Sequence, residues 1–369
     1  MKPGFFTMPL HPPGANMTDT LKSDLDQIVK LDELGYEEAW IGEHFTAEWE
    51  NIPSPELFIA QALGVTKSIR LGTGVTCMPN HDPFVLAHRI AQLDHMSEGR
   101  LNWGIGTGSF PGDTHVFGYD EDGGVDAGAY TREALKTILK IWDDPEPGLY
   151  ESKWWKFRIP ERQDDIGLRA HVTPFQKPHP PIGVAGVSPN SPTLKMAGQL
   201  GWIPMSINLA PPVQIKTHWD SIEEGAHEAG KTPDRSLWRV AREVFIADTT
   251  AEARRMVVEG TMARDFNRYF LPMLGQQGRL AIFKNDPDMP DSDVTIDYLI
   301  DNVFIVGSAD EVTQKLQDLN GELGGFGTLL AMGHEWDPYN AWYESMSVLA
   351  KEVLPKVGAA PAVTGYSGG

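Results

Sequence analysis

The sequence predicts an α/β fold, a closed (β/α)8 barrel, on three observations. Short apolar runs recur eight times along the chain. Longer stretches with apolar residues at helical spacing separate them. No linker or change of composition splits the 369 residues into halves, which favours a closed barrel over an open doubly wound sheet. The expected domain is residues 1–355, with a flexible tail over 356–369.

The elements follow in order. "PGFFTMPL" is the first strand, and "TDTLKSDLDQIVKLDELG" the first helix. Its Leu21, Leu25, Ile28, Leu31 and Leu34 share a face, and Gly35 stops it. "YEEAWIGEH" is strand two. The next helix starts at Ser54-Pro55, an N-cap followed by a proline that needs no amide donor. "IRLGTGVTCMP" is strand three, "PFVLAHRIAQLDHMSEG" a helix, and "RLNWGIGTGSF" strand four. "TREALKTILKIW" is a helix, "PIGVAGV" strand five, and "SPTLKMAGQLG" a helix capped by Ser191. "WIPMSIN" is strand six, followed by the helix "PVQIKTHWDSIEEGAHEAG". "WRVAREVFIAD" is strand seven, "FGTLLAMGHE" strand eight, and "DPYNAWYESMSVLAKEVLPKV" the last helix. Two segments break the alternation. Residues 145–181 are rich in Pro, Trp and charge and read as an inserted loop or hairpin. Residues 260–302 read as a lid or binding loop, the usual meaning of a long insertion in a compact domain.

Charge and composition narrow the function. The net charge of −20 argues against nucleic acid or an anionic membrane as partner, and any anionic ligand needs its own local site. The single cysteine, Cys77, rules out an intrachain disulfide and fits a reduced cytoplasm. The N-terminus does not read as a secretory signal, and no apolar stretch approaches the roughly 20 residues that span a bilayer.

A barrel does its chemistry where its strands end. Strand two ends in Glu43-His44, a carboxylate beside a group that moves protons near neutral pH. Strand three offers Thr73-Gly74, then Cys77, Asn80 and His81. Strand four offers "GIGTGSF", a glycine run that lets a ligand lie against backbone but lacks a nucleotide-binding context. Strand five runs into "AGVSPNSP", where small residues and a capping serine open a helix. Free amides and the helix dipole there suit a phosphate, although Ser191 as a plain cap reads equally well. Strand eight ends in His334-Glu335. No Cys/His cluster has metal-ligand spacing, and His81, His88 and His95 read as a helix face. Cys77 reads as a small buried hydrophobe.

Taken together, "WIGEHF", "LGTGVTCMPNHDPFVLAHRIAQLDHMSEGRLNWGIGTGSF", "YTREAL", "GVSPNSPTLKMAGQLGW" and "VFIVGSADEVTQKL" resemble the bacterial luciferase-like, flavin-dependent monooxygenases. The resemblance spans about residues 2–355. "EHFTAEWENIPSPELFIA" is most similar to the diketocamphane and limonene monooxygenase types. It implies a barrel that binds reduced FMN at the strand ends, the FMNH2 coming from a separate NAD(P)H-flavin reductase. The flavin then reacts with O2 to a C4a-(hydro)peroxyflavin that oxygenates an apolar, terpenoid or alicyclic ketone, by Baeyer–Villiger oxidation or hydroxylation.

Position by position, the resemblance implies that His44 is the catalytic proton donor or acceptor, with Glu43 orienting it or facing the flavin. Thr73 and Gly74 match a site where the family often has a non-prolyl cis peptide beneath the ring. Thr107, Tyr130, Gly186, Val187 and Ser188 match cofactor contacts. Met8, Cys77, Phe110, Met205 and His334, with Phe6 and the lid, are the expected substrate pocket, and no metal is expected. Luciferase carries an arginine where Thr107 stands and a reactive cysteine where Gly106 stands. The phosphate countercharge must therefore come from elsewhere, Arg132 or helix-terminus amides, and thiol chemistry is not expected. A homodimer through the helices after strands two and three is the expected assembly. The competing readings are a deazaflavin-dependent dehydrogenase on the same barrel, a non-enzymatic flavin-binding subunit and a metal-dependent barrel hydrolase. The retained Glu43-His44 pair argues against the second, and the lack of His/Asp ligand sets against the third.

Overall fold

Eight short parallel strands close on one another in the computed structural model, which describes residues 1–119 and 124–358. They are β1 (Lys2–Thr7), β2 (Glu38–Ile41), β3 (Arg70–Thr73), β4 (Leu101–Gly106), β5 (Ile182–Gly186), β6 (Ile203–Ser206), β7 (Arg239–Arg242) and β8 (Thr328–Met332). β1 pairs with β2 and β8, and the Leu71↔Leu101 register between β3 and β4 completes the ring. The main helices around it are α1 (Met17–Leu34), α2 (Pro55–Leu63), α3 (Pro83–Ser97), α4 (Ala127–Asp143), α5 (Pro192–Leu200), α6 (Pro212–Glu228), α7 (Ala309–Leu323) and α8 (Tyr339–Val348).

Local chemistry sets these boundaries. The Asn16 side chain accepts from the amides of Thr18 and Asp19 to start α1, and Gly35, at φ 86°, ends it in the left-handed conformation. Asp82 caps α3 through the amides of Phe84 and Val85, ahead of a proline at its first turn. The inner barrel is filled by Trp40, Ile203, Met205, Ala241, Leu330 and Met332. Trp40 fits because glycines face it. A Cβ on Gly72 would lie 2.5 Å from its ring, and one on Gly183 2.8 Å.

Several expected boundaries move. "WRVAREVFIAD" is not one strand. β7 stops at Arg242, and Val244–Ile246 leaves the barrel to pair in parallel with Ile305–Gly307. The break falls at Glu243, whose side chain turns to meet Asn208 and His334. The third strand is likewise interrupted after Thr73. The Gly74–Val75 peptide is cis, and Thr76–Cys77 resumes pairing with Ile105 and Gly106.

Within residues 145–181, Gly148–Glu151 and Lys156–Ile159 form an antiparallel hairpin. Residues 260–302 are largely helical, including Thr261–Asp265, a wide turn over Phe266–Phe270, Leu271–Gln276 and Ile296–Asn302. At the C-terminus, helix Leu354–Val357 extends past the expected start of the tail, and residues 359–369 of that tail lie outside the described residues. No helix among the described residues is long and apolar enough to cross a membrane.

Candidate active site

The strand ends open into a cavity of about 570 Å³, within the size range of cofactor and small-ligand sites. Phe6 and Met8 beyond β1, Gly74, Val75 and Cys77 beyond β3, and Phe110 beyond β4 supply an apolar wall. Tyr269, Phe270, Met273 and Leu274, all from the 260–302 segment, cover it. The insertion that reads as a lid in the sequence is therefore part of the cavity.

His44 stands in this wall between two carboxylates. Its Nδ1 lies 3.1 Å from Asp113 Oδ2. Its Nε2 lies 2.9 Å from Glu50 Oε2, an ion-pair contact without aligned hydrogen-bond geometry. Asp113 is itself fixed by the amides of Phe45 and Thr46 and by the Thr46 hydroxyl at 2.6 Å. Phe110 packs on the imidazole with ring centroids 4.6 Å apart. Burial alone would lower the His44 pKa, but its bonds and charge interactions with Asp113 and Glu50 outweigh it, and the value is raised to about 9. His44 is thus an imidazolium at neutral pH.

Glu43 does not orient His44. It is buried and accepts from Asn80 Nδ2 at 3.1 Å and His81 Nε2 at 2.9 Å, while one edge reaches the cavity. Adjacent residues on an extended chain point to opposite sides, which sends these two side chains to different partners. Tyr130 donates to the His81 carbonyl at 2.8 Å, a buried support beneath the site rather than part of its wall.

Another part of the cavity wall, contributed by residues beyond β5 and from α4 and the lid, is cationic. Thr131 and Arg132 of α4, Val187 and the α5 start at Pro192-Thr193 line it, with Gln277 and Arg279 from the lid. Neither Arg132 nor Arg279 has an acidic partner among the described residues. Thr107 also lines the cavity, whereas Ser188 does not. The Ser188 carbonyl accepts from His218 Nε2 at 3.0 Å, and His218 Nδ1 faces Ser206 Oγ at 2.9 Å. A carbonyl cannot donate, so Nε2 carries the hydrogen and Nδ1 accepts from Ser206. Burial pushes His218 down to about 4, so this imidazole stays neutral and pins the loop after β5. Gly186 stands behind the wall, where a Cβ would lie 2.4 Å from Leu194.

Besides Tyr130, Gly186 and Ser188, three further expected site residues lie off the cavity wall. Met205 points into the barrel core with Trp40. Thr73 is buried, its hydroxyl donating to the Gly104 carbonyl at 2.7 Å. His334 is buried between Glu243 and Asp265, each 2.8 Å away. It anchors the lid root instead of lining the pocket. Met8, Cys77 and Phe110 do line it. Burial pushes the Cys77 thiol well up, which keeps it protonated and apolar in character. Sequence reasoning missed Glu50, Asp113, Tyr269 and Arg279. Glu50 sits in the proline-punctuated loop after strand two and Tyr269 in the long insertion, so both had a regional signal. Asp113, on the short helix Pro111–Val116, had none.

The luciferase-like monooxygenase family profile matches residues 1–350. The chain is 35% identical to 3,6-diketocamphane 1,6-monooxygenase of Pseudomonas putida, over 97% of this chain and 98% of that protein. It is 30% identical to limonene 1,2-monooxygenase of Rhodococcus erythropolis, over 99% and 89%. The fold superposes on the oxygenating constituent of 3,6-diketocamphane monooxygenase from Pseudomonas putida, a type II Baeyer–Villiger monooxygenase solved in complex with FMN. The TM-score is 0.91, with 36% identity over 98% of this chain and 99% of that one. This chain belongs to the luciferase-like monooxygenase family.

Proposed function

We propose that the chain is the oxygenase component of a two-component system. It takes FMNH2 from a separate NAD(P)H-flavin reductase and oxidises an apolar alicyclic ketone. Ketone, O2 and FMNH2 give lactone, water and FMN. The observation that carries this reading is a single cavity whose wall holds Arg132 and Arg279, neither with an acidic partner among the described residues, near a helix start, together with the cationic His44 among apolar side chains.

The residues present fit FMN. The phosphate suits Arg132, Arg279, Thr193 and the amides at the start of α5, a local positive site in a protein of net charge −20. The glycines 74, 106 and 108 bring backbone to the cavity, and Gly106 has no room for a side chain because a Cβ would lie 2.6 Å from Val75. A flat ring system can lie against that surface. When bound, reduced FMN supplies the two electrons that activate O2.

The chain's own residues do the rest. His44 holds a proton at neutral pH and gives it to the oxygen that leaves as water. Asp113 and Glu50 orient the ring and stabilise its charge. Phe6, Met8, Phe110 and Phe270 exclude water and receive the hydrocarbon frame of the ketone. The same reading includes a homodimer through α2 and α3.

The test mixes anaerobic protein and FMNH2 with oxygenated buffer in a stopped-flow instrument. An oxygen-dependent absorbance transient, shortened by a cyclic ketone and accompanied by lactone, is the expected result. No FMNH2 binding, together with hydride transfer from a reduced deazaflavin to the ketone to give the alcohol, would overturn it.

A further inference from the structure

The lid meets the proton donor through two buried oxygens, neither of which has an aligned hydrogen bond. One is the hydroxyl of Tyr269 on the lid, and the other is Oε2 of Glu50 in the loop after β2. They are complementary, a donor and an anionic acceptor. They lie close enough for the Glu50 carboxylate to act on the phenol by charge and by hydrogen bonding. Buried polar atoms almost always find partners, and a hydroxyl hydrogen turns about its C–O bond, so each is the partner the other lacks.

The surroundings hold the pair together. The Tyr269 ring stacks on Trp49, the residue before Glu50, with centroids 5.5 Å apart and an interplanar angle of 17°. Arg268, next to Tyr269 on the lid, places its guanidinium 5.6 Å from the centre of the same Trp49 ring. The loop itself is pinned, because the Trp49 carbonyl accepts from the His11 amide at 3.0 Å and Glu50 bridges to Leu10. A lid that covers the cavity therefore brings its hydroxyl to a carboxylate already in place.

Glu50 Oε2 is also the oxygen that faces His44 Nε2, at 2.9 Å. One carboxylate thus serves the lid and the imidazolium together. The charges that bear on His44 come from Glu50 and from Asp113 of the short helix Pro111–Val116. The other ionisable groups packed here are committed. Glu43 is taken by Asn80 and His81, the Cys77 thiol stays protonated, and Arg268 lies over Trp49. Burial, then the Glu50 carboxylate, push the Tyr269 pKa well up, so the phenol remains a neutral donor. A hydroxyl that donates to a carboxylate satisfies part of its negative charge and weakens its hold on a second cation.

We propose that Tyr269 is a positioning residue that couples lid closure to release of the His44 proton: with the lid closed, its hydroxyl donates to Glu50 and draws that carboxylate's charge away from the imidazolium. With the lid open, Glu50 holds the His44 proton more tightly. The proton is therefore given up most readily once the cavity is covered and water is excluded. This inference rests on His44 acting as the proton donor in the reading above.

The test follows the His44 ring signal by NMR, in FMN-bound protein carrying isotope-labelled histidine, across neutral and alkaline pH. His44→Gln identifies the signal. Wild type, Tyr269→Phe, Glu50→Gln and the double variant are compared. Tyr269→Phe removes one oxygen and keeps the ring on Trp49. It is expected to raise the pKa of His44 by about half a unit or more. In the Glu50→Gln background the same substitution should leave that value unmoved, because the carboxylate that carries the coupling is gone. An unmoved or lowered value in Tyr269→Phe, or an equal shift in both backgrounds, overturns the proposal. The other histidine signals show whether each variant is folded. The titration needs neither O2 nor ketone, so a protein that shows the coupling but forms no lactone would overturn the oxygenase reading alone.

Discussion

His44 shows how a single side chain gains its chemistry from neighbours distant in sequence. Its position was legible, because a polar pair at the end of a barrel strand faces the site. Its protonation state was not, because Asp113 reaches it from a short helix 69 residues away and Glu50 from a loop. If His44 acts as the acid, product formation falls as pH rises through about 9, where the imidazolium deprotonates. Asp113→Asn removes a charge that favours the cation, so the alkaline limb should shift to lower pH by about 1 unit. An unmoved limb in the pH profile of Asp113→Asn would assign that limb to another group. His44→Ala should keep the FMN dissociation constant and lose lactone while hydrogen peroxide continues to form. Lactone at the wild-type rate would make His44 structural.

At the scale of elements, the strand and helix pattern was readable because apolar period and capping residues are local. The roles of strand-end residues were not, since a change of one position turns a side chain from cavity to core. His334 shows the consequence. A chain of alternating charge runs from Glu243 through His334 to Asp265 and Arg264 of the lid segment. It continues to Glu335, His11 and Asp24. This chain ties the first turn of the lid to the ends of β7 and β8.

Burial opposes the charge on His334, but Glu243 and Asp265 outweigh it and raise the pKa to about 9. A folded-state value above the ordinary 6.5 means that this contribution is complete below about pH 6.5 and lost as pH rises through 9. His334→Leu strands two buried carboxylates and should destabilise the fold by about 3–5 kcal/mol at pH 7, read by denaturant unfolding. The loss should shrink at pH 9.5, and an equal loss at both pH values would argue for packing alone. Strand packing gives a separate expectation. Gly72→Ala puts a methyl 2.5 Å from the Trp40 ring and should cost about 1–3 kcal/mol in the same assay.

For the molecule as a whole, alternation along the sequence was enough to expect the closed barrel, because parallel strands with intervening helices have few other solutions. Which outer face meets another copy is a different question, since helix surfaces look alike in sequence until the fold shows what they leave uncovered. Leu57 on α2 is 74% exposed, and Val85 and Met96 on α3 are 51% and 52% exposed. Val85 and Met96 stand 11 residues apart, about three helical turns, so they share one face. α2 packs beside α3, and Val65, just past α2, is also exposed. Scattered apolar residues are ordinary on a surface, and exposed ones on two adjacent helices are where the proposed interface is to be tested. The proposed homodimer covers these residues. At about 10 μM the wild type should sediment near twice the 40.8 kDa chain mass. Leu57→Glu with Val85→Glu should sediment as a monomer, because each introduces a charge that a closed two-fold contact would bury twice. A monomeric wild type, or a dimer indifferent to both substitutions, would move the interface away from α2 and α3.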